Sequence, residues 1–310
     1  MNVFTYKNGF FLTILLFSIE CFGQNKDFQV SKLTNSSEVS LLTVGRSDEE
    51  IYQNFGHTAI RIKDSILGWD LVYNYGTFSY DDGFVWKFVK GKLLYYESID
   101  NYPDFEQMYR DENRSINEQK LDLSQEQKQL LFERLTVNAR EENKYYKYDF
   151  LFDNCTTRLR DIIVQQKQNK PVFKNVMPAG TRFRQAIHFY LDKRYKDWDK
   201  LGIDILLGAP VDAVMTTEQQ QFLPDNLMMA LDSTNQLVLS TSSLYPYQTP
   251  AVSRSWFNPL VVFSLLLLLI VVLDFSKNKN VPLRFFFKLS TLFYSLQSIK
   301  PLSIIATKSN

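Results

Sequence analysis

The chain holds few side chains able to act as nucleophile and base: two Cys and two His in 310 residues. One of them, Cys155, stands in Phe152-Asp153-Asn154-Cys155-Thr156-Thr157-Arg158. Asp and Asn are helix N-cap residue types, so the thiol is expected in the first turn of a helix. There the free backbone N–H groups and the helix dipole favour thiolate over thiol, and thiolate is the species that attacks a carbonyl. Arg158, one turn on, adds positive charge. A Cys on an apolar helix face is ordinarily an inert core residue. The polar neighbours at this helix start leave both readings open.

A nucleophilic thiol needs a proton acceptor, most often His. His57 follows Asn54-Phe55-Gly56 and opens an alternating segment. A Gly before a strand His permits close approach of backbone or ligand. His188 lies between Ile187 and Phe189 and reads as a packing or surface residue. The base role therefore falls to His57, with an ordinary polar residue at a strand start as the alternative. A third group usually orients the imidazole. Val72-Tyr73-Asn74-Tyr75-Gly76 passes beside His57 if the two segments pair as a hairpin. Asn74 is the candidate, because its amide oxygen can accept from the imidazole N–H, and a plain turn or hydrogen-bonding role is its alternative. The candidate catalytic set is Cys155, His57 and Asn74. The two His are far apart and lack metal-ligand spacing. No phosphate loop, serine elbow or dinucleotide fingerprint occurs, so no metal and no cofactor is expected.

The elements that must position these residues follow from periodicity. Asn25 to Ser40 reads as a loose polar leader, Ser40 to Val44 as a short strand, and Gly45 to Glu50 as a turn. His57 to Lys63 alternates with period two, Asp64 to Gly68 is a turn, and Leu71 to Phe78 is the second strand of a hairpin. Leu93 to Ile99 is another strand candidate. Asp104 to Asn113 reads as a helix. Ser124 and Gln127 form a capping-box pair opening a helix through about Asn143. Tyr145 to Phe152 is aromatic and extended, and Cys155 to Gln165 is helical with Leu159, Ile162 and Ile163 on one face. Thr181 is expected to cap the helix carrying His188. Leu206 to Leu231 has no clear assignment, and Ser233 to Pro250 reads as a linker.

Both ends carry membrane signals. Lys7, the apolar stretch Gly9 to Ile19 and the small residues ending at Gly23 have the order of a cleaved secretory signal, residues 1–23, with Cys21 inside it. Pro259 to Leu273 is apolar except for Ser264, and its aromatic flanks extend it to a span over 256–275. Trp256 fits an interfacial aromatic belt. Lys277, Lys279, Arg284 and Lys288 lie just beyond and make residues 276–310 a cytoplasmic or membrane-associated tail. A buried core helix is the alternative. The domain 24–255 then faces the periplasm, tethered to the cell membrane, with Cys155 as its lone thiol and no partner for an internal disulfide. The net charge of +1 gives no sign of nucleic-acid binding.

The segments Gly56-His57-Thr58-Ala59-Ile60-Arg61-Ile62, Tyr73-Asn74-Tyr75-Gly76-Thr77-Phe78 and Asp153-Asn154-Cys155-Thr156-Thr157-Arg158-Leu159-Arg160-Asp161 together resemble a known family. A strand His followed much later by a helix-start Asn-Cys is the order of circularly permuted papain-like thiol enzymes, including the lecithin:retinol acyltransferase group and permuted NlpC-type hydrolases. Among these the chain is most similar to the periplasmic N-terminal domain of the Lnb lipoprotein N-acyltransferases, over about Ser40 to Leu231, with Phe222-Leu223-Pro224-Asp225 near its end. The resemblance implies an α+β, NlpC-type domain with a small antiparallel sheet, followed by a C-terminal transmembrane helix. It also implies a Cys155–His57 acyl transfer from a membrane glycerolipid to the N-terminal amine of a lipoprotein. Members usually continue into several spans, whereas here Val281 to Gln297 is apolar but interrupted by Arg284 and Lys288. A cell-wall peptide hydrolase and a non-catalytic periplasmic binding module are the competing readings.

Overall fold

The computed structural model describes residues 30–79, 87, 94–234, 236–246 and 252–277. The signal at 1–23 and the tail beyond 277 lie outside the described residues. The chain divides into Met1–Lys32 and Leu33–Asn310, and every element below belongs to the second unit.

Among the described residues seven antiparallel strands form one sheet in the order β6-β4-β3-β2-β1-β5-β7. In chain order these are β1 (Ser37–Val44), β2 (His57–Asp64), β3 (Trp69–Thr77), β4 (Leu94–Asn101), β5 (Ile116–Leu121), β6 (Tyr145–Lys147) and β7 (Val238–Tyr245). The helices are α1 (Tyr102–Asp111), α2 (Gln125–Asn138), α3 (Cys155–Val164), α4 (Phe183–Asp192), α5 (Asp197–Leu207), α6 (Pro224–Asp232) and α7 (Pro259–Lys277). The α+β expectation holds, but the sheet is not small.

The β2–β3 hairpin forms where alternation predicts it, with Ala59 opposite Asn74 and Asp64 opposite Trp69. The turn is fixed by Asp64, whose carboxylate accepts from the backbone N–H of Ile66 at 3.1 Å and of Leu67 at 3.2 Å. It also accepts from the N–H of Thr34 at 2.7 Å and from its hydroxyl at 2.8 Å, tying the hairpin to the start of β1. These bonds hold the buried carboxyl below the usual Asp range although burial opposes them.

Each face of the sheet has its own cover. Tyr102, Phe105 and Tyr109 of α1 pack with Leu42, Val44, Ala59, Val72 and Ile116. On the opposite face the hydroxyl of Thr156 in α3 meets that of Thr58 at 3.0 Å, and Thr136 of α2 meets Tyr73 at 3.3 Å. The capping box of α2 is present in both directions, from Gln127 N–H to Ser124 Oγ at 3.2 Å and from Ser124 N–H to Gln127 Oε1 at 2.9 Å. A second core gathers Phe55, Leu151, Phe183, Ile187, Tyr190 and Phe222.

Several expectations are corrected. The leader ends earlier, because β1 starts at Ser37 rather than Ser40. The segment 233–250 is no plain linker: Val238–Tyr245 is the edge strand β7, paired with β5. Helix α2 ends at Asn138 rather than near 143. The N-cap of α4 is Arg182, not Thr181, and the N–H of Arg182 donates to Gln185 Oε1 at 2.8 Å.

The structure has an apolar helix where a C-terminal span over 256–275 is expected, but it does not bear out the span. Helix α7 begins at Pro259, so Trp256 and Phe257 precede it in non-helical chain and add nothing to its length. Its apolar run, Leu260 to Leu273, rises only about 21 Å at ~1.5 Å per residue, against a hydrocarbon core of ~30 Å. Among the described residues no helix is long and apolar enough to cross a membrane. The leucines of α7 are exposed. Its start docks on α5, where Trp198 Nε1 donates to the Phe257 carbonyl at 3.0 Å and the Trp198 ring meets Phe263 with centroids 6.2 Å apart.

Candidate active site

Cys155 is the first residue of α3. Asn154 is its N-cap, with Oδ1 accepting from Thr156 N–H at 2.8 Å and Thr157 N–H at 2.9 Å, while the Thr157 hydroxyl accepts from Asn154 N–H at 2.9 Å. The Asn154 amide is held from behind, since Nδ2 donates to the carbonyls of Phe150 at 2.7 Å and Phe222 at 3.0 Å. The cap thus consumes the N–H groups of the two residues after the thiol and leaves that of Cys155 at the helix tip, where the positive end of the dipole lies. Arg158 is turned away to a bidentate ion pair with Asp153, at 2.5 and 2.8 Å, and stacks over the ring of Tyr146 with its guanidinium carbon 3.6 Å from the centroid.

His57 is the first residue of β2, and Gly56 before it has φ +84. A Cβ at Gly56 would lie 2.5 Å from the Val44 carbonyl oxygen, so only glycine lets the chain turn into the strand here. The imidazole lies against the Tyr109 ring at a centroid distance of 6.4 Å and an interplanar angle of 29°. Its Nε2 is 3.1 Å from Asn74 Oδ1. That leaves Nδ1 free of Asn74 and able to serve Cys155, whose ionisation the imidazole favours.

The half-buried thiol feels opposing influences. Burial acts to raise its pKa. The His57 imidazole nearby, the backbone N–H of Thr58 and the hydroxyl of Thr156 outweigh it, and the pKa falls below the ordinary thiol value. The thiol is therefore easier to ionise than an ordinary one, with the imidazole beside it.

The two partners reach one another from opposite faces of the sheet. His57, Ala59 and Asn74 share the face covered by α1, whereas α3 packs on the face of Thr58. They meet at the strand ends, beside Gly76. Gly76 has φ +90, and a Cβ there would sit 3.6 Å from the Cβ of Cys155. The pairing of β3 with β4 shifts register between Asn74 and Thr77, a bulge that lets β3 turn past the helix tip.

The structure brings Cys155, His57 and Asn74 together and leaves His188 elsewhere, on α4, with Nε2 2.9 Å from Asp204 Oδ1. Three neighbours were not legible in the sequence. Asp100 on β4 accepts from Asn74 Nδ2 at 2.5 Å. Tyr109 flanks the imidazole. Tyr146 is buried with a hydroxyl that has no hydrogen-bond partner. The first depends on cross-strand register and the others on tertiary packing, and no local pattern marks either. Among the described residues no group of three or more His, Cys, Asp or Glu is placed to hold a metal ion.

Residues 29–182 match the family described as the Lnb N-terminal periplasmic domain. The match includes His57, Asn74, Asp100, Tyr109, Tyr146 and Cys155 and ends before Phe222-Leu223-Pro224-Asp225. No curated protein and no solved structure was found to match the chain.

Proposed function

Through residues 29–182 the chain belongs to the family of the Lnb N-terminal periplasmic domain, and from that premise we propose that it is a thiol-dependent acyltransferase of the permuted papain-like kind. Cys155 is the nucleophile, His57 the base, and Asn74 the residue that orients the imidazole. The observation that carries the reading is the pairing of a depressed helix-tip thiol with an imidazole whose other nitrogen is held by an amide oxygen.

Nδ1 of His57 takes the thiol proton, and the thiolate attacks the ester carbonyl of a membrane glycerolipid. The Cys155 N–H donates to the developing oxyanion. The ester C–O bond breaks, the departing alkoxide takes the proton back from His57, and a lysolipid leaves. The acyl group is then held as a thioester on Cys155. The α-amine of a lipoprotein's N-terminal Cys attacks this thioester, giving up a proton to His57. The C–S bond breaks, and an N-acyl amide and free Cys155 result.

The membrane setting belongs to the same proposal. The apolar helix α7, with Trp256 just before it, anchors the domain to the cell membrane close to both lipid substrates.

Replacing Cys155 with Ala or Ser in a strain lacking other N-acylating enzymes tests the reading by mass spectrometry of lipoprotein N-termini. Loss of the N-acyl mass is expected. Unchanged N-acylation would overturn it, and release of stem peptides from cell-wall fragments by the purified protein would replace it with a hydrolase.

A further inference from the structure

Asn74 has two chemically different ends on an almost symmetric amide. In one orientation it offers His57 an acceptor, in the other a pair of donors. The difference decides what the imidazole can do. An acceptor facing Nε2 requires a proton on that nitrogen, which leaves Nδ1 free to take a proton from the thiol and stabilises the imidazolium that results. A donor facing Nε2 requires a bare nitrogen there, places the neutral proton on Nδ1, and works against the imidazolium.

Nothing in Asn74 itself selects between these orientations; its outer partner does. Asp100 approaches the amide on the side away from His57, with Oδ2 2.5 Å from Nδ2. A carboxylate accepts and has no proton to give, so only the amide nitrogen can face it. The register explains the contact: Asn74 pairs with Ser98, and Asp100, two residues on, lies on the same face of the sheet. Ser98 steadies the carboxylate, with Oγ 3.4 Å from Oδ2, and is itself 2.9 Å from the Thr77 hydroxyl.

We propose that Asp100 is a positioning residue of this site: it fixes the orientation of the Asn74 amide, and through it the tautomer of His57 that activates Cys155. The inference rests on the acyltransferase reading for its purpose, but its geometry ends at the thiol and is testable there without any lipid.

The test compares Asp100→Asn, Asn74→Asp and the exchange Asn74→Asp/Asp100→Asn in the full chain. An amide at position 100 can donate or accept, so it no longer selects. A carboxylate at position 74 facing Asp100 brings two acceptors together. The exchange restores one acceptor-only and one amide group, with the carboxylate at position 74 now accepting both from His57 and from the amide at position 100. Two measurements apply. One is the rate of iodoacetamide alkylation of Cys155 at pH 6.5, read on the Cys155 peptide by mass spectrometry. The other is the 15N shift pair of His57, assigned with the help of His188→Gln.

Each single variant is expected to slow alkylation by roughly ten-fold, the scale of one hydrogen bond to an ionised group. Each is also expected to move the His57 shifts away from the Nε2–H pattern, and the exchange to recover most of both losses. Single variants that alkylate at the original rate, or an exchange no better than either single, would overturn the proposal. Failure of lipoprotein N-acylation with intact alkylation and exchange rescue would instead overturn the acyltransferase reading and leave the role of Asp100 standing.

Discussion

Glu97 offers a sharp test of how the sheet is built beside the site. It lies on β4, is 2% exposed, and neither carboxyl oxygen has a hydrogen-bond partner. Burial pushes its pKa from 4.5 up to about 8, against the opposing pull of Tyr75 and Arg158. A carboxyl with a raised folded-state pKa holds a proton that the unfolded chain has released. Its contribution is fully present below about pH 4.5 and is lost as pH rises towards 8. At about 1.4 kcal/mol per pH decade, the change between pH 5 and pH 8.5 is on the order of 4 kcal/mol, a large part of a typical domain stability of ~5–15 kcal/mol. Glu97→Gln keeps the shape and removes the titration. Urea denaturation of both proteins at the two pH values measures the effect. The variant should gain on the original by on the order of 4 kcal/mol between pH 5 and pH 8.5. Stability curves that run parallel over that interval would show that Glu97 is ionised in the folded protein, and that the sheet beside Tyr75 is open to water.

Two further outcomes follow from the glycine beside the thiol and from the cap. Gly76→Ala places a Cβ 3.6 Å from that of Cys155 on a backbone with φ +90. The contact itself is of ordinary van der Waals length, so the positive φ sets the cost, about 1–2 kcal/mol of stability by thermal denaturation. Asn154→Ala removes the acceptor of two helix N–H groups and should destabilise by ~1–2 kcal/mol. It should also raise the thiol pKa, seen as a shift of the alkylation profile to higher pH.

The parts of the fold that were legible are those whose cause is local. The β2–β3 hairpin follows from alternation and a turn that closes on Asp64. The starts of α2 and α3 follow from the side chains of Ser124 and Asn154, which satisfy their own helices. Strand β5 leaves no strand pattern in the sequence because Ile116–Leu121 carries Asn117, Glu118 and Gln119 where a buried strand usually carries apolar residues. Their polarity is absorbed by distant partners: Gln119 Nε2 donates to Asp232 Oδ1 at 2.6 Å, and Glu118 pairs with Arg61 at 3.2 Å. Strand β7 looks like linker in the sequence because an edge strand, solvated on one side, tolerates the Ser/Thr-rich Val238–Tyr245. Arg182 replaces Thr181 as the cap of α4 because tertiary contact fixes that end, the N–H of Phe183 reaching the Ala213 carbonyl at 3.3 Å.

The same division runs through the site. Cys155 and His57 each announce themselves locally, one by its cap and the other by the glycine before it. Their meeting is not local, because base and nucleophile start from opposite faces of one sheet. They meet beside Gly76, whose φ of +90 is a conformation that residues with a side chain rarely adopt, where the pairing of β3 with β4 shifts register. The meeting therefore rests on a backbone path that glycine permits, at the point where β3 leaves regular pairing.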